Sequence, residues 1–393
     1  MKLLSKDLRI FNRNFSFASL LWFLLAAIGV ILKIRLGPDK IGNFFVFRNV
    51  FWHTIHQTNL YSFYPSENLG SYLYGPFFSI LVAPFSLLPV NLGAFLWGIF
   101  NAAILFVAIR KLPVSYKNQN IIILISVIEM MTSLQNMQIN CMVAALIIFS
   151  FTFVKKEQDF WAALFIAIGF MIKLYGIVGI AFIFFSENKI KFILSFLFWL
   201  VILFALPMLI SSPLFIVQSY FDWYYTLVAK DNANTFSAMQ NISVMGMLRH
   251  IFKTEHLNGV IIFIAAWFYL LPLLRFGQFK NTAFQLSYLS LALIGVVIFS
   301  SSAESPTYII AVAGVGIWFI LQNQKLWMVT ALLIFTLVVT SLSSTDLFPR
   351  YFKLNYIQPF AVKALPCFFV WIVLVFQLLK KNFNKGLEFW DID

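Results

Sequence analysis

The chain has 393 residues, of which 61% are apolar and 11% charged, and a net charge of +13. A soluble chain of this length carries about a quarter charged residues, so the composition excludes a soluble globular protein. It also gives no support to a nucleic-acid partner, because in a membrane chain Lys and Arg gather in cytoplasmic loops and at lipid headgroups.

Apolar runs of about 20 residues recur from end to end, the pattern of an all-α polytopic membrane protein. The expected organisation is a single transmembrane domain over residues 1–393. Lys2, Lys6, Arg9 and Arg13 place the N-terminal segment in the cytoplasm. The first apolar run, Phe15 to Leu32, lacks a small-residue cleavage site and so reads as the first span, not as a cleaved signal. Residues 33–90 then form an outer loop with interfacial helices. Over Asn43 to Gln57, helical spacing puts Phe44, Phe47, Phe51 and Ile55 on one side and Asn49, His53 and His56 on another. The aromatic richness of this insert reads mostly as an interfacial belt. Pro76 to Pro89 is apolar but only about 14 residues long, which suits a re-entrant or interfacial helix better than a crossing, and Pro84 interrupts it.

Charge bias orders the remainder. A second span, Asn91 to Ile109, ends inside at Arg110, Lys111 and Lys117. Spans three and four meet outside at Gln135–Asn140 and return to Lys155-Lys156. The next pair turns outside near Lys173 and ends at Lys189 and Lys191. The seventh, Phe192 to Ile210, leads into a second large outer loop over residues 211–258, and the eighth ends at Arg275 and Lys280. Spans nine and ten meet outside at Ser300–Pro306 and return to Lys325. The last two flank an outer loop at Asp346–Pro359 and end at Lys380-Lys381. About twelve spans result, with both termini cytoplasmic in an inner (plasma) membrane. Counting Pro76–Pro89 as a crossing would turn Lys155, Lys189, Arg275 and Lys380 outward, against the positive-inside rule.

The long loops all fall outside, as suits an enzyme of the outer face; a carrier more often shows two similar halves around a midplane site. The outer acids are Asp39, Glu67, Asp222, Asp231, Glu255, Glu304 and Asp346. Glu67 stands among Tyr61, Tyr64 and Tyr72, where a partly dry boundary favours a general base; the plainer role is a solvated loop acid. For Glu304 the plainer role is a structural cap. Lys173 and Glu129 interrupt apolar runs, where each costs roughly 2.5–3.5 kcal/mol at a helix centre, and a buried Glu129–Lys173 ion pair would satisfy both. Lys173, near an outer turn, also suits a lipid phosphate, as do Arg249 and Lys253. His53 and His56 share a helix face without a matching carboxylate, which defines no metal site. The two cysteines, Cys141 and Cys367, sit in apolar runs and provide no disulfide framework. Asn241-Ile242-Ser243 matches the short glycosylation acceptor pattern.

Several motifs occur in a telling order. Asn43 to Tyr61 resembles an Asp-Phe-x-x-Tyr…Leu-Tyr segment. Tyr74-Gly75-Pro76-Phe77 through Pro84 and Leu88-Pro89 resembles a Tyr-Pro-Pro-Leu…Pro…Leu-Pro run followed by Trp, here Trp97. Met137-Gln138-Ile139-Asn140 resembles a Gly-Gln-x-Asn turn, and Ile172-Lys173-Leu174-Tyr175 a Lys-x-x-Pro turn. Together they resemble the membrane GT-C glycosyltransferases, and within them family 87, the polyprenyl-phosphate-mannose-dependent mannosyltransferases and their relatives. The resemblance is carried by residues 43 to 185 and continues beyond only as topology.

It implies a GT-C-like bundle that transfers a hexose, mannose in the first instance, from a polyprenyl-phosphate donor to a lipid-linked or cell-envelope glycan. No cofactor and no metal are implied. Such a donor carries its own leaving group, so the protein supplies one base for the acceptor hydroxyl and cations for the departing phosphate. Asn43 stands where the family's catalytic acid is expected, and an amide takes no proton. The base then falls to Asp39 or Glu67, or the chain does different chemistry or none. Lys173, Arg48 and Arg249 suit the phosphate; Tyr61, Tyr74, Gln138 and Glu304 suit the substrate. The alternatives are a non-catalytic relative that binds a lipid-linked glycan, and a transporter or flippase of lipid-linked sugars.

Overall fold

In hydrocarbon only a helix satisfies every backbone group within its own segment, and the apolar runs of this chain wind accordingly. The computed structural model describes residues 7–10, 13–67, 70–234, 237, 239–253, 258–322 and 327–384. Lys2, Lys6, Glu255 and Lys325, used above to orient the chain or as candidate acids, lie outside them. Apart from a short antiparallel ribbon, β1 (Asp7–Ile10) with β2 (Arg13–Ser16), the regular elements among the described residues are helical. Five are long and apolar enough to cross a membrane: Phe17–Arg35, Val90–Arg110, Lys189–Leu209, Trp327–Ser344 and Val362–Lys380. Six further apolar helices are shorter, at 10–17 residues.

Chain contacts divide into two compact units. One comprises Phe23–Ala108 and Ser133–Asn232. It holds most of α1 (Phe17–Arg35), then α2 (Gly42–His56), α3 (Phe78–Ser86) and α4 (Val90–Arg110). The end of α5 (Tyr116–Gln135) follows, with α6 (Asn140–Lys155), α7 (Asp159–Ile172), a 3-10 helix over Leu174–Phe185, α8 (Lys189–Ala205) and α9 (Pro213–Asn234). Close helix approaches rest on small residues: a Cβ at Gly98 of α4 would meet Val30 of α1 at 2.4 Å, and one at Gly176 would meet the Gly169 backbone of α7 at 2.4 Å. The Leu174–Phe185 helix has 12 residues. A 3-10 helix rises about 2.0 Å per residue, so it reaches further than an α-helix of the same length.

The insert after α1 behaves differently from a surface belt. Phe44, Phe47, Phe51, Tyr72, Tyr74, Phe77 and Phe78 are all buried, and the rings of Tyr74, Phe78 and Trp97 pack around Phe47 at 5.2, 5.1 and 5.8 Å. The expected interfacial belt is, for these residues, an aromatic core: α3 and α4 cover the apolar side of α2, and only Ile55 of the four residues assigned to that side stays exposed. Helix α3 has 9 residues with Pro84 inside, so it rises about 13 Å, under half of the ~30 Å hydrocarbon core.

The second unit comprises Met1–Trp22, Ile109–Thr132 and Ala233–Asp393. It contains most of α5, then α10 (Val244–Phe252), α11 (Asn258–Leu270), α12 (Thr282–Ile298), α13 (Tyr308–Ile320), α14 (Trp327–Phe335), the short turn α15 (Arg350–Phe352) and α16 (Leu365–Lys380). Helices α12 and α13 meet through Ser290, whose hydroxyl donates to the Gly314 carbonyl at 2.6 Å.

Here the expected Glu129–Lys173 pair is replaced. Glu129 accepts from Lys363 Nζ at 2.9 Å, and that ammonium also donates to the Ser305 hydroxyl at 2.9 Å and lies 5.0 Å from the centre of the Tyr308 ring. Both charged side chains are enclosed, and a buried charge demands a paired partner. The predicted outer loop 211–258 is also more regular than a loop, since it carries α9 and α10. Asn241 and Ser243 are both fully buried, the Ser243 hydroxyl donating to Asn241 Oδ1 at 2.6 Å, so the glycosylation motif is closed off and its Asn instead neighbours the start of α10.

Candidate functional site

The motif residues of the insert converge inside the first-described unit. Asn43, in the first turn of α2, donates its side-chain amide to the Asn136 carbonyl at 2.8 Å. That ties α2 to the turn between α5 and α6. Met137 in this turn has φ +52, a left-handed conformation that glycine adopts without steric cost, and it stands where the family pattern has Gly. The turn therefore keeps a glycine geometry under a different side chain. The next residue, Gln138, accepts from the Tyr74 hydroxyl at 3.0 Å, while the Tyr61 hydroxyl donates to the Tyr74 carbonyl at 2.9 Å. Burial, with smaller contributions from Tyr220 and Asp222, pushes the Tyr61 phenol well above its ordinary range, so it remains a hydrogen-bond donor.

Lys173 follows α7, and its ammonium donates to Asn140 Oδ1 at 3.1 Å and lies 4.5 Å over the Tyr175 ring. The amide is neutral, so it orients the ammonium without cancelling its charge. Gly75 donates to the Ile172 carbonyl at 3.1 Å. A Cβ at Gly75 would stand 2.0 Å from the Met171 carbonyl oxygen, so glycine at the family's Pro position allows the Tyr74 and Lys173 segments to lie against each other. Tyr74, Gln138, Asn140 and Lys173, assigned from scattered motifs, thus form one polar wall.

The carboxylates sit at either end of α2. Asp39 is exposed on the 3-10 turn Pro38–Ile41 that leads into the helix, four residues before Asn43. Glu67 reaches back to the far end: one oxygen accepts from Asn49 Nδ2 at 2.9 Å and the other meets His53 Nε2 at 3.1 Å. The His53 ring lies 4.5 Å from that of Tyr64, whose hydroxyl donates to the Asn59 carbonyl at 2.8 Å. Asn59 in turn donates to Asp222 on α9 at 3.1 Å. Sequence reasoning set His53 aside for want of a carboxylate; the loop closure that brings Glu67 to it is what was missing. Arg48, on the same helix, has a buried Nε without a hydrogen-bond partner.

The other candidates lie in the second-described unit. Arg249 is buried on α10. Glu304 precedes the turn Ser305–Thr307, and its backbone N–H donates to the Thr307 hydroxyl at 3.2 Å, which is the capping geometry expected of it. Among the described residues no three His, Cys, Asp or Glu side chains gather as a metal site.

A chain of recurrent apolar helices, with polar side chains gathered at the turns between them, is an integral membrane protein. The model of glycosyltransferase family 87 matches residues 72–345, about two-thirds of the chain, and the protein belongs to that family of membrane glycosyltransferases. The match takes in Tyr74, Gln138, Lys173, Arg249 and Glu304, and extends well past residue 185, where the motif resemblance ends; Asp39, Asn43, Arg48, Tyr61 and Glu67 precede it. A comparison with curated proteins finds no match.

Proposed function

We propose that the protein transfers a hexose, mannose in the first instance, from a polyprenyl-phosphate donor to a lipid-linked or cell-envelope glycan on the outer face of the inner membrane. The observation that carries this reading is the Lys173 ammonium, held by a neutral amide beside Tyr74 and Gln138 in a member of a glycosyltransferase family. An oriented cation stabilises a departing phosphate where charge develops. The hydroxyl oxygen of the acceptor attacks the anomeric carbon, the carbon–oxygen bond to phosphate breaks, and its electron pair stays on the polyprenyl phosphate. Lys173 receives that phosphate, with Arg48 as a further cation. Tyr61, Tyr74 and Gln138 bind sugar hydroxyls, and the hydroxyl proton leaves through the carboxylates of the insert, Glu67 or Asp39. The basic residues at Lys155, Lys189, Arg275 and Lys380 support an outward-facing insert.

A second reading is favoured by one observation. Asn43 serves as a donor to a backbone carbonyl, a tethering role that suits a non-catalytic relative binding a lipid-linked glycan. Purified protein in liposomes with labelled polyprenyl-phosphate-mannose and a lipid-extract acceptor pool separates the two. Transfer predicts release of polyprenyl phosphate and a new glycolipid, and a Lys173→Ala variant slowed by about 10²-fold or more. Donor binding without release favours the binding-only relative; neither binding nor release returns the flippase.

A further inference from the structure

We infer that His53, rather than Glu67 itself, takes the proton from the acceptor hydroxyl, with Glu67 and Asn49 as positioning residues; this rests on the glycosyl-transfer reading above. Both Glu67 oxygens are engaged, one by Asn49 at 2.9 Å and one by His53 at 3.1 Å. A carboxylate only accepts hydrogen bonds, so His53 Nε2 carries the hydrogen and Nδ1 presents a lone pair. Among the described residues no side chain or backbone group bonds Nδ1. A carboxylate that holds one imidazole nitrogen while the other faces the reacting proton is the arrangement of a His general base with its orienting acid. The Tyr64 ring, anchored through Asn59, limits rotation of the imidazole from its other side. The His53 side chain is 14% exposed, enclosed yet reachable.

The step balances without an added reagent. The acceptor hydroxyl proton passes to Nδ1 as its oxygen bonds the anomeric carbon, the bond to the phosphate oxygen breaks, and the imidazolium faces the Glu67 carboxylate. Ten residues of helix separate Asn43 from His53, about 15 Å along the axis. The acceptor hydroxyl therefore sits at the C-terminal end of α2, away from the position where the family resemblance places an acid. The amide at residue 43 then costs the reaction no base.

The test uses the full chain in proteoliposomes with labelled polyprenyl-phosphate-mannose and the lipid-extract acceptor pool. His53→Ala is expected to lower transfer by about 10²–10⁴-fold, and added imidazole to restore at least tenfold of it, a rescue that a purely structural histidine would not show. Glu67→Gln, whose carbonyl still accepts from Nε2, is expected to lose far less than His53→Ala, and His56→Ala to behave as wild type. Absence of imidazole rescue in a folded His53→Ala protein that still binds donor overturns the assignment. So does near-complete loss in Glu67→Gln while His53→Gln stays active, which would make Glu67 the base. Wild-type protein that binds donor without any transfer overturns the glycosyl-transfer reading itself, and the base with it.

Discussion

The Asn43 amide donates to the Asn136 carbonyl at 2.8 Å, and a carboxylate in its place would face that carbonyl with lone pairs of its own. Restoring the acid that the family resemblance leads one to expect should therefore not restore a base. Asn43→Asp is predicted to lower stability by about 0.5–1.5 kcal/mol, the net worth of one hydrogen bond, and to leave transfer no faster than wild type. Thermal unfolding in detergent and the transfer assay check both; a faster enzyme would show that position 43 still faces the acceptor and would sink the His53 assignment. The same logic of partners governs Glu129 and Lys363, with side-chain exposures of 0% and 4%. Lys363→Met strands a buried carboxylate and should cost about 3–5 kcal/mol, whereas the Glu129→Met/Lys363→Met double variant should recover most of it. Unfolding midpoints of the two variants decide; equal losses would mean that the lysine matters for its Ser305 contacts rather than for its charge.

At the scale of elements, the turn after α7 and the segment before α3 depend on one residue without a side chain. A methyl group at Gly75 would stand 2.0 Å from the Met171 carbonyl oxygen and 3.2 Å from the Trp223 ring. Backbone on one side and an indole held by the Leu73 carbonyl on the other leave little room to yield. Gly75→Ala should therefore displace Lys173 from Tyr74 and lower transfer more than donor binding, measured by separate turnover and binding assays; an unchanged turnover would mean that these segments need not touch. Much of this arrangement was legible beforehand. The helical spacing of Phe44, Phe47 and Phe51 marks the buried side of α2, and the ordered Tyr74, Gln138 and Lys173 motifs mark the polar wall. The contacts made by distant chain closure were not. Lys363 begins an apolar run like any boundary lysine, and nothing local says that its partner is Glu129. Glu67 reaches His53 only because an irregular loop folds back over α2. Likewise, α9 mixes Asp222, Tyr224 and Tyr225 into its apolar residues and so reads as loop.

For the whole molecule, α3 decides the orientation of everything after it. Nine residues of helix rise about 13 Å, too little for a ~30 Å core, so α1 and α4 are predicted to cross in opposite directions, with the insert on one side and the loop after α4 on the other. With the positive-inside bias, Ser62 is then expected outside and Lys117 inside; if α3 crossed, both would lie on one side. The native cysteines allow a direct test, because Cys141 and Cys367 are both fully buried and should not react with a membrane-impermeant maleimide. Ser62→Cys and Leu347→Cys should label in intact spheroplasts, whereas Lys117→Cys and Lys156→Cys should label only after permeabilisation; all four positions are exposed. Labelling of residues 62 and 117 from the same side would make α3 a crossing and turn Lys155, Lys189, Arg275 and Lys380 outward. Labelling of residue 117 alone from outside would instead put the insert in the cytoplasm, where the His53–Glu67 pair and Lys173 would meet a donor from the opposite leaflet.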